Sequence, residues 1–223
     1  MQRPGGHHKI GAPGQAASAP ALEQYRRRAS RYDTELLAFE PIRDEAIEQL
    51  QIGPGDCVLD IGCGTGLSFD KLHFRVGRSG RIVGIEQCPE MMAQAEERVR
   101  ANRLSNVELV LAPAAAARTH AMADAALFHF THDILRDEAS LSNVLSHLKP
   151  GARVVAAGLQ WAPPWAWTTN GFVMLAALYS TSSLEGLGHP WSRLASRLAN
   201  FRVQHTLLGG IYIASGTFDP AKH

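Results

Sequence analysis

The feature that most constrains the fold is a glycine-rich turn directly after a short apolar run. Residues 57–61 read Cys-Val-Leu-Asp-Ile, and Gly62-Cys63-Gly64-Thr65-Gly66 follows them. An apolar run of this length predicts a buried strand, and we expect the next helix to begin near Leu67 or Ser68. Such a strand–turn–helix unit directs backbone N–H groups and a positive helix end toward the carboxyl edge of a sheet. The segment therefore predicts a site for a nucleotide-like ligand.

The strand–helix unit repeats along the chain. Apolar runs predict further strands at 81–86, 107–111, 125–130 and 153–157, and helical composition spans 89–100 and 141–148, the latter stopped by Lys149-Pro150-Gly151. This alternation predicts an α/β fold with a doubly wound parallel sheet covered on both faces. Near the C-terminus, residues 201–208 and 211–215 flank Gly209-Gly210 and predict an antiparallel hairpin.

Length and charge limit the function classes. A chain of 223 residues suits one domain, and 22 Lys and Arg against 21 Asp and Glu give a formal charge of +1. A nucleic-acid partner is not expected, because phosphate binding usually requires a basic excess. The one dense basic run, Arg26-Arg27-Arg28, is either a solvated helix face or an anion-binding patch.

Cysteine spacing and hydropathy set the expected compartment. Cys57, Cys63 and Cys88 form no CxxC pair and have no paired histidines, so neither a metal site nor a disulfide is expected. No apolar run approaches the ~20 residues of a bilayer span, and the first residues lack a secretory signal. We expect a cytoplasmic protein without a membrane partner, either monomeric or homodimeric.

Three parts of the chain differ in composition. Residues 1–20 are predicted to form a flexible tail, residues 21–50 a helical segment interrupted at Pro41, and residues 51–223 the main domain. An aromatic insert at about 160–195 contains Trp161, Trp165, Trp167 and Trp191. It fits neither a clean strand nor a regular loop up to residue 187, and residues 191–199 are predicted to be helical. The tryptophans suggest a pocket for a flat or apolar acceptor, or alternatively a satellite core or a dimer surface.

Glycine spacing separates the candidate ligands. The glycines fall at 62, 64 and 66, which does not fit the Gly-x-Gly-x-x-Gly dinucleotide pattern, and the Gly-Lys-Ser/Thr of a phosphate loop is absent. Glu86 ends the second predicted strand, where an acidic side chain can accept hydrogen bonds from ribose hydroxyls. The alternative for Glu86 is a solvated carboxylate at a strand end.

Four segments in order carry a family resemblance: VLDIGCGTG, VGIEQCPEMMAQAEERV, DAALFHFTHDI and LKPGARVVAAG. Over about residues 30–158 the chain resembles class I S-adenosylmethionine-dependent methyltransferases, especially small-molecule enzymes of the ubiquinone and menaquinone type. The resemblance implies a Rossmann-like seven-stranded sheet, mostly parallel with an antiparallel last strand. It also implies S-adenosylmethionine as cofactor and S-adenosylhomocysteine as product.

The resemblance assigns roles to residues of the chain. Asp60 would support the loop or the cofactor ammonium, Glu86 would hold the ribose, and His129 would contact the methionine portion. The segment containing Tyr25 and Tyr32 resembles an N-terminal lid, with packing of an amphipathic helix as the alternative. The predicted cofactor-binding set is Tyr25, Tyr32, Asp60, Gly62, Cys63, Gly64, Gly66, Glu86, Gln87, Met91 and His129, with Gln87 and Met91 lining the adenine.

One departure from the family pattern concerns adenine recognition. Family members often place an aspartate just after the third strand, whereas this chain has Ala112-Pro113-Ala114-Ala115. Backbone N–H and C=O groups can replace such a side chain, because they also read the adenine edge.

Fewer residues are candidates for catalysis and acceptor binding. His132 and Asp133 follow the fourth strand and are a candidate general base and its orienting partner, although a histidine there can also be a polar cap. The predicted acceptor pocket contains Trp161, Trp165, Tyr179 and His189. The sequence thus predicts methyl transfer to O, N or C of a small molecule, for example in secondary metabolism. Nucleic-acid or protein methylation and a non-catalytic binding module are the alternatives.

Overall fold

A computed structural model describes residues 39–180 and 184–222 of the chain, and its centre is a seven-stranded sheet. The strands are β1 (Cys57–Ile61), β2 (Arg81–Glu86), β3 (Val107–Leu111), β4 (Ala123–His129), β5 (Leu148–Leu159), β6 (Leu198–Thr206) and β7 (Ile211–Phe218). Their order is β3-β2-β1-β4-β5-β7-β6. Neighbours among β1 to β5 are parallel, and β7 is antiparallel to both β5 and β6. The predicted sheet and its antiparallel last strand are confirmed.

Helices cover both faces of the sheet. They are α1 (Glu40–Gln49), α2 (Phe69–Val76), α3 (Pro89–Ala101), α4 (His132–Arg136), α5 (Glu138–Ser146), α6 (Trp167–Ser180) and α7 (Ser192–Arg197). Alternate residues of β1 serve the two faces, because side chains alternate along a strand. Val58 packs with the helices before β3, whereas Leu59 packs with α4, α5 and α7. The sheet is therefore doubly wound, with a separate apolar core on each face.

Two boundaries are predicted at prolines. Pro41 lies in the first turn of α1, where proline's missing N–H costs no hydrogen bond, so α1 begins where the sequence predicts an interruption. The helical part predicted before residue 39 lies outside the described residues. Lys149-Pro150-Gly151 does not end a helix but belongs to β5, where the register shifts between Ala123 and Ala125 of β4.

The aromatic insert contains a regular helix, α6, that was not predicted. Val173 and Ala177 of α6 are buried against Leu159 and Ile211 at the edge of the sheet. The helix predicted at 191–199 is shorter than expected, because β6 already begins at Leu198. Within the described part of the chain, no helix has the length and hydropathy needed to span a bilayer.

Candidate cofactor site

A cavity opens where β1 and β4 end, at the carboxyl edge of the sheet. Its walls come from the glycine turn, the start of α2, the end of β4 and one residue of α1. The lining residues are Arg43, Asp60, Gly62, Cys63, Gly64, Thr65, Leu67, Ser68, His129 and Phe130. The edge is the place where open α/β sheets bind ligands, as the sequence predicted.

The glycine turn requires glycine for backbone reasons. Gly62, Gly64 and Gly66 have φ angles of +64°, +58° and +79°, a region that L side chains rarely adopt. A Cβ on Gly62 would also lie 2.6 Å from the Thr131 methyl carbon. The turn can therefore expose its backbone to a ligand only because these side chains are absent. The helix after it begins at Phe69, one residue beyond Ser68, close to the prediction.

Asp60 is a buried carboxylate with an unsatisfied oxygen. Its side chain is 2% exposed, and Oδ2 has no hydrogen-bond partner. Burial raises the pKa of Asp60 to about 7 and Glu86 adds to the rise, whereas Arg43 and a hydrogen bond from Ser68 oppose it. A buried carboxylate oxygen without a donor is costly unless a ligand supplies one. Asp60 therefore fits a cationic group bound in the cavity.

Arg43 reaches the same cavity and was missed by the sequence analysis. It is buried in α1, pairs with Glu40, and lines the cavity with Asp60. The signal was present, because Arg43 stands in helical phase with Ala46 and Ile47, the buried residues of α1. A charged residue in phase with an apolar face indicates either a buried ion pair or a ligand site. The cavity thus contains both a carboxylate and a guanidinium.

Glu86 ends β2 and holds the glycine turn. Its Oε2 accepts a hydrogen bond from the Gly64 N–H at 3.1 Å, and Oε1 accepts from Gln87 at 2.9 Å and Cys88 at 2.8 Å. Burial raises the pKa of Glu86, and these three bonds oppose the rise. A carboxylate offers about four acceptor positions. One position is therefore left, so accepting both ribose hydroxyls requires Glu86 to release one backbone bond.

The end of β4 places an aromatic pair at the cavity. The Nε2 atom of His129 is buried without a hydrogen-bond partner, and burial together with Arg43 holds the His129 pKa well below its usual range. Phe130 has φ +58°, which is uncommon for a non-glycine residue and is found at functional sites. Its ring lies 4.9 Å from the ring of Phe39. His129 is thus a neutral imidazole beside an aromatic wall.

The two residues after Phe130 each have a buried polar atom without a hydrogen-bond partner. The hydroxyl of Thr131 is buried and unbonded, as is Nδ1 of His132. Nε2 of His132 lies 2.9 Å from the Glu185 carbonyl oxygen. Because a carbonyl only accepts, Nε2 carries the proton and Nδ1 is the basic nitrogen of the neutral ring. His132 therefore has the tautomer that a general base requires, and its catalytic role, like that of half-buried Asp133, stays a prediction.

The other predicted cofactor residues lie at the cavity, near the start of α3, or outside the described residues. Cys63 lines the cavity, and burial raises its thiol pKa well above the usual value, so the thiol is neutral. Gln87 and Met91 lie at the end of β2 and the start of α3, where Met91 is buried and Gln87 is half-buried. Their adenine contact stays a prediction. Tyr25 and Tyr32 lie outside the described residues.

The alanine-rich stretch after β3 is ordered by backbone and amide contacts. The Ala112 N–H donates to the Glu86 carbonyl at 2.9 Å. The Asn143 side chain of α5 donates to the carbonyls of Ala114 and Ala117 at 2.8 and 2.9 Å. No sequence signal linked Asn143 to this turn, since the two are far apart along the chain. The turn that replaces the usual aspartate therefore has a fixed backbone.

The predicted acceptor residues belong to different parts of the aromatic insert. Trp161 packs against the α6 cluster, whereas Trp165 is 70% exposed. The His189 ring contacts Trp191 at 5.4 Å, on the α7 side of the sheet. Tyr179 belongs to α6, and its side chain lies outside the described part of the structure. The acceptor pocket formed by these residues stays a prediction.

The described residues contain free cysteines and no group of side chains placed to bind a metal ion. Cys57, Cys63 and Cys88 are free thiols. Across residues 39–180 and 184–222, no group of three His, Cys, Asp or Glu side chains is placed to hold a metal ion.

Curated relatives match part of the chain. Residues 58–151 match the family described as a methyltransferase domain. An arsenite methyltransferase of Halobacterium salinarum is 38% identical over 60 residues, 27% of this chain and 15% of that protein. A demethylmenaquinone methyltransferase of Shouchella clausii is 32% identical over 68 residues, 30% of this chain and 29% of that protein. A 23S rRNA methyltransferase of Shewanella is 40% identical over 63 residues, 28% of this chain and 13% of that protein. The chain thus spans less than a third of the length of these relatives.

Solved structures share the whole fold at low identity. N-methyltransferase NodS from Bradyrhizobium japonicum, in complex with S-adenosyl-L-homocysteine, gives a TM-score of 0.65 at 16% identity and covers 89% of this chain and 98% of its own. The DhpI–S-adenosylhomocysteine complex gives 0.61 at 19% identity, with 90% and 96% coverage. Residues 58–151 of the chain thus match a methyltransferase domain, and the chain shares its fold with these solved structures.

Proposed function

We propose that this protein transfers the methyl group of S-adenosylmethionine to a small-molecule acceptor bound against Phe130 and α4. The observation that carries the proposal is the buried Asp60 carboxylate with an unsatisfied oxygen, beside Arg43 and a glycine turn. An amino-acid terminus carries one ammonium and one carboxylate. A cavity with one buried anion and one buried cation complements both groups.

Residues of this chain would hold each part of the cofactor. Asp60 binds the ammonium, Arg43 the carboxylate, and Glu86 the ribose after releasing the Gly64 N–H. His129 lies beside Arg43 and stays neutral because of its lowered pKa, so it adds no positive charge where a sulfonium must bind. The cofactor, when bound, supplies an electrophilic methyl group. The protein contributes the positioning of the acceptor, which can account for much of the acceleration of such a displacement.

Proton removal is assigned to His132 for acceptors that lose a proton as they attack. Glu185 fixes the ring through Nε2, which leaves Nδ1 as the acceptor nitrogen. Acceptors that attack without losing a proton do not require this residue. The effect of His132→Ala on turnover therefore distinguishes acceptors that lose a proton from acceptors that do not.

The small-molecule class is supported by the chemistry around the cavity. Phe130 and Phe39 present aromatic rings, and the stretch between Arg153 and Glu185 contains no charged side chain. Nucleic-acid binding usually depends on basic surface, and the formal charge here is +1. We therefore expect an apolar or planar acceptor in a cytoplasmic protein, although an rRNA methyltransferase is among the relatives.

Label transfer tests the proposal. The full chain is incubated with methyl-labelled S-adenosylmethionine and either a metabolite extract or total RNA, and the labelled product is identified by mass spectrometry. We expect label in a small molecule and none in RNA. Label confined to RNA would replace the small-molecule proposal, and label in neither, despite cofactor binding, would favour a binding module. Asp60→Asn is the control, because its weaker cofactor binding should lower the labelling of either fraction.

A further inference from the structure

Arg43 and Glu40 lie one turn apart in the first half of α1 and form an ion pair. The Arg43 side chain is 3% exposed, whereas that of Glu40 is 26% exposed. A buried guanidinium without an anion destabilises a protein strongly, because its charge is then uncompensated. Glu40 therefore supplies negative charge to Arg43 from within the chain.

The guanidinium of Arg43 also acts on the cavity. Arg43 lines the cavity together with Asp60 and His129. Burial raises the pKa of Asp60 and lowers that of His129, and the positive charge of Arg43 lowers both. Arg43 thus pairs with Glu40 and reaches the cavity at the same time.

Glu40 has a second cationic partner on a different helix. Its Oε2 lies 3.2 Å from the Nζ of Lys71 in α2, whereas its Oε1 pairs with Arg43. Lys71 also pairs with Asp44, one turn further along α1. One oxygen of the Glu40 carboxylate therefore serves each cation, so this carboxylate can leave Arg43 and still keep Lys71.

A ligand carboxylate at Arg43 would compete with Glu40 for the same guanidinium. The planar guanidinium of an arginine forms its strongest contact through two parallel hydrogen bonds to one carboxylate. Two carboxylates at one site also disfavour each other's ionised form. Binding of a carboxylate in the cavity therefore requires Glu40 to give up part of its contact with Arg43.

We infer that Glu40 is an internal competitor of the cofactor carboxylate, and that Lys71 favours cofactor binding because it draws Glu40 away from Arg43. The inference rests on the proposed function, in which Arg43 holds that carboxylate. It extends the proposed function, because it assigns the affinity for the amino-acid end of the cofactor to two residues that do not line the cavity. Ligands that have the ammonium but no carboxylate escape the competition.

Titration calorimetry at pH 8, where Asp60 is largely ionised, tests the competition with two ligands. S-adenosylhomocysteine carries an ammonium and a carboxylate, whereas its decarboxylated analogue S-adenosyl-3-thiopropylamine keeps only the ammonium. Glu40→Gln retains the size of the side chain and removes its charge. It should tighten the binding of S-adenosylhomocysteine by roughly threefold or more, as expected for a partly exposed ion pair, and should not tighten the binding of the analogue.

Asp44→Asn is the matched control for this substitution. It also removes a carboxylate that pairs with Lys71 from α1, but the Asp44 side chain is 58% exposed. Solvent and salt screen such a charge, so both dissociation constants should stay within roughly twofold of the wild type.

A second variant does not depend on the folding of Glu40→Gln. Lys71→Gln removes the competing cation from Glu40, so it should weaken S-adenosylhomocysteine roughly threefold and should not weaken the analogue. In the Glu40→Gln background the same substitution should have little effect, because the two residues then no longer interact. If the wild type binds S-adenosylhomocysteine and the folded variants change the affinities for both ligands equally, or not at all, the inference is overturned while the proposed function stands. Absence of S-adenosylhomocysteine binding by the wild type would overturn both.

Discussion

Cofactor affinity should increase about tenfold between pH 6 and pH 8, because Asp60 must lose its proton before it can bind an ammonium. In the free protein, burial holds the Asp60 pKa at about 7. The carboxyl is then ionised in about one molecule in eleven at pH 6 and about ten in eleven at pH 8. An ammonium ligand lowers the pKa in the complex, so the complex is ionised at both values.

The free energy follows from the same pKa. Ionising the carboxyl at pH 6 costs about 1.4 kcal/mol when its pKa is about 7. Because ligand binding lowers the pKa of Asp60, binding releases a proton below pH 7 and almost none above it. Glu86 has a raised pKa as well, and therefore contributes in the same direction.

Titration calorimetry with S-adenosylhomocysteine measures both the affinity and the number of protons released on binding. The dissociation constant is determined at pH 6, 7 and 8, in buffers that differ in ionisation enthalpy, so that proton release is counted directly. Asp60→Asn is the matched control, because the amide cannot titrate and its profile reports Glu86 and the ligand alone. Equal pH profiles in the wild type and Asp60→Asn would refute the assignment of Asp60 as the titrating ammonium ligand.

Four further outcomes follow from the same site. Asp60→Asn should raise the free energy of unfolding by a few kcal/mol at pH 8 and little at pH 4 in urea denaturation, because a carboxyl with a raised pKa costs stability as pH rises toward 7. Glu86→Ala should weaken S-adenosylhomocysteine binding by roughly 1–3 kcal/mol in calorimetry, since it leaves buried donors unpaired; unchanged affinity would remove its ribose role. Gly62→Ala should abolish cofactor binding in the same assay, whereas Gly151→Ala, also at positive φ but with open space around its Cβ, should only reduce stability. His132→Ala should reduce turnover with cofactor affinity intact, and equal turnover would make His132 a structural residue.

The sheet was predictable because local patterns and topology agreed. Five apolar runs, the alternating helices and the Gly209-Gly210 hairpin specified the strands to within a few residues, apart from β5. That strand begins at Leu148, because pairing with Ala123 of β4 extends it through Lys149-Pro150-Gly151. Proline and glycine there are turn signals locally, and only the neighbouring strand overrides them.

The residues of the candidate cofactor site could be predicted where they belong to one motif. They could not be predicted where they come from distant segments of the chain. Asp60 and the glycines adjoin in sequence, so their proximity follows from the turn. Arg43 lines the cavity from α1, and Asn143 of α5 holds the stretch after β3. A single sequence contains no record of such long-range contacts. Only the helical phase of Arg43 indicated that it faces inward.

Helix α6 was missed because its apolar residues show no single periodicity. Both of its sides are apolar, so the pattern resembled neither an amphipathic helix nor a strand.

The binding of S-adenosylmethionine to the purified full chain tests the central claim most directly. Calorimetry and thermal shift with up to millimolar cofactor should give a saturable heat and a raised melting temperature, both removed by Gly62→Ala and both reduced by Asp60→Asn. Absence of heat and of any thermal shift in the wild type would contradict the account, because the cavity around Asp60 would then not be a cofactor site.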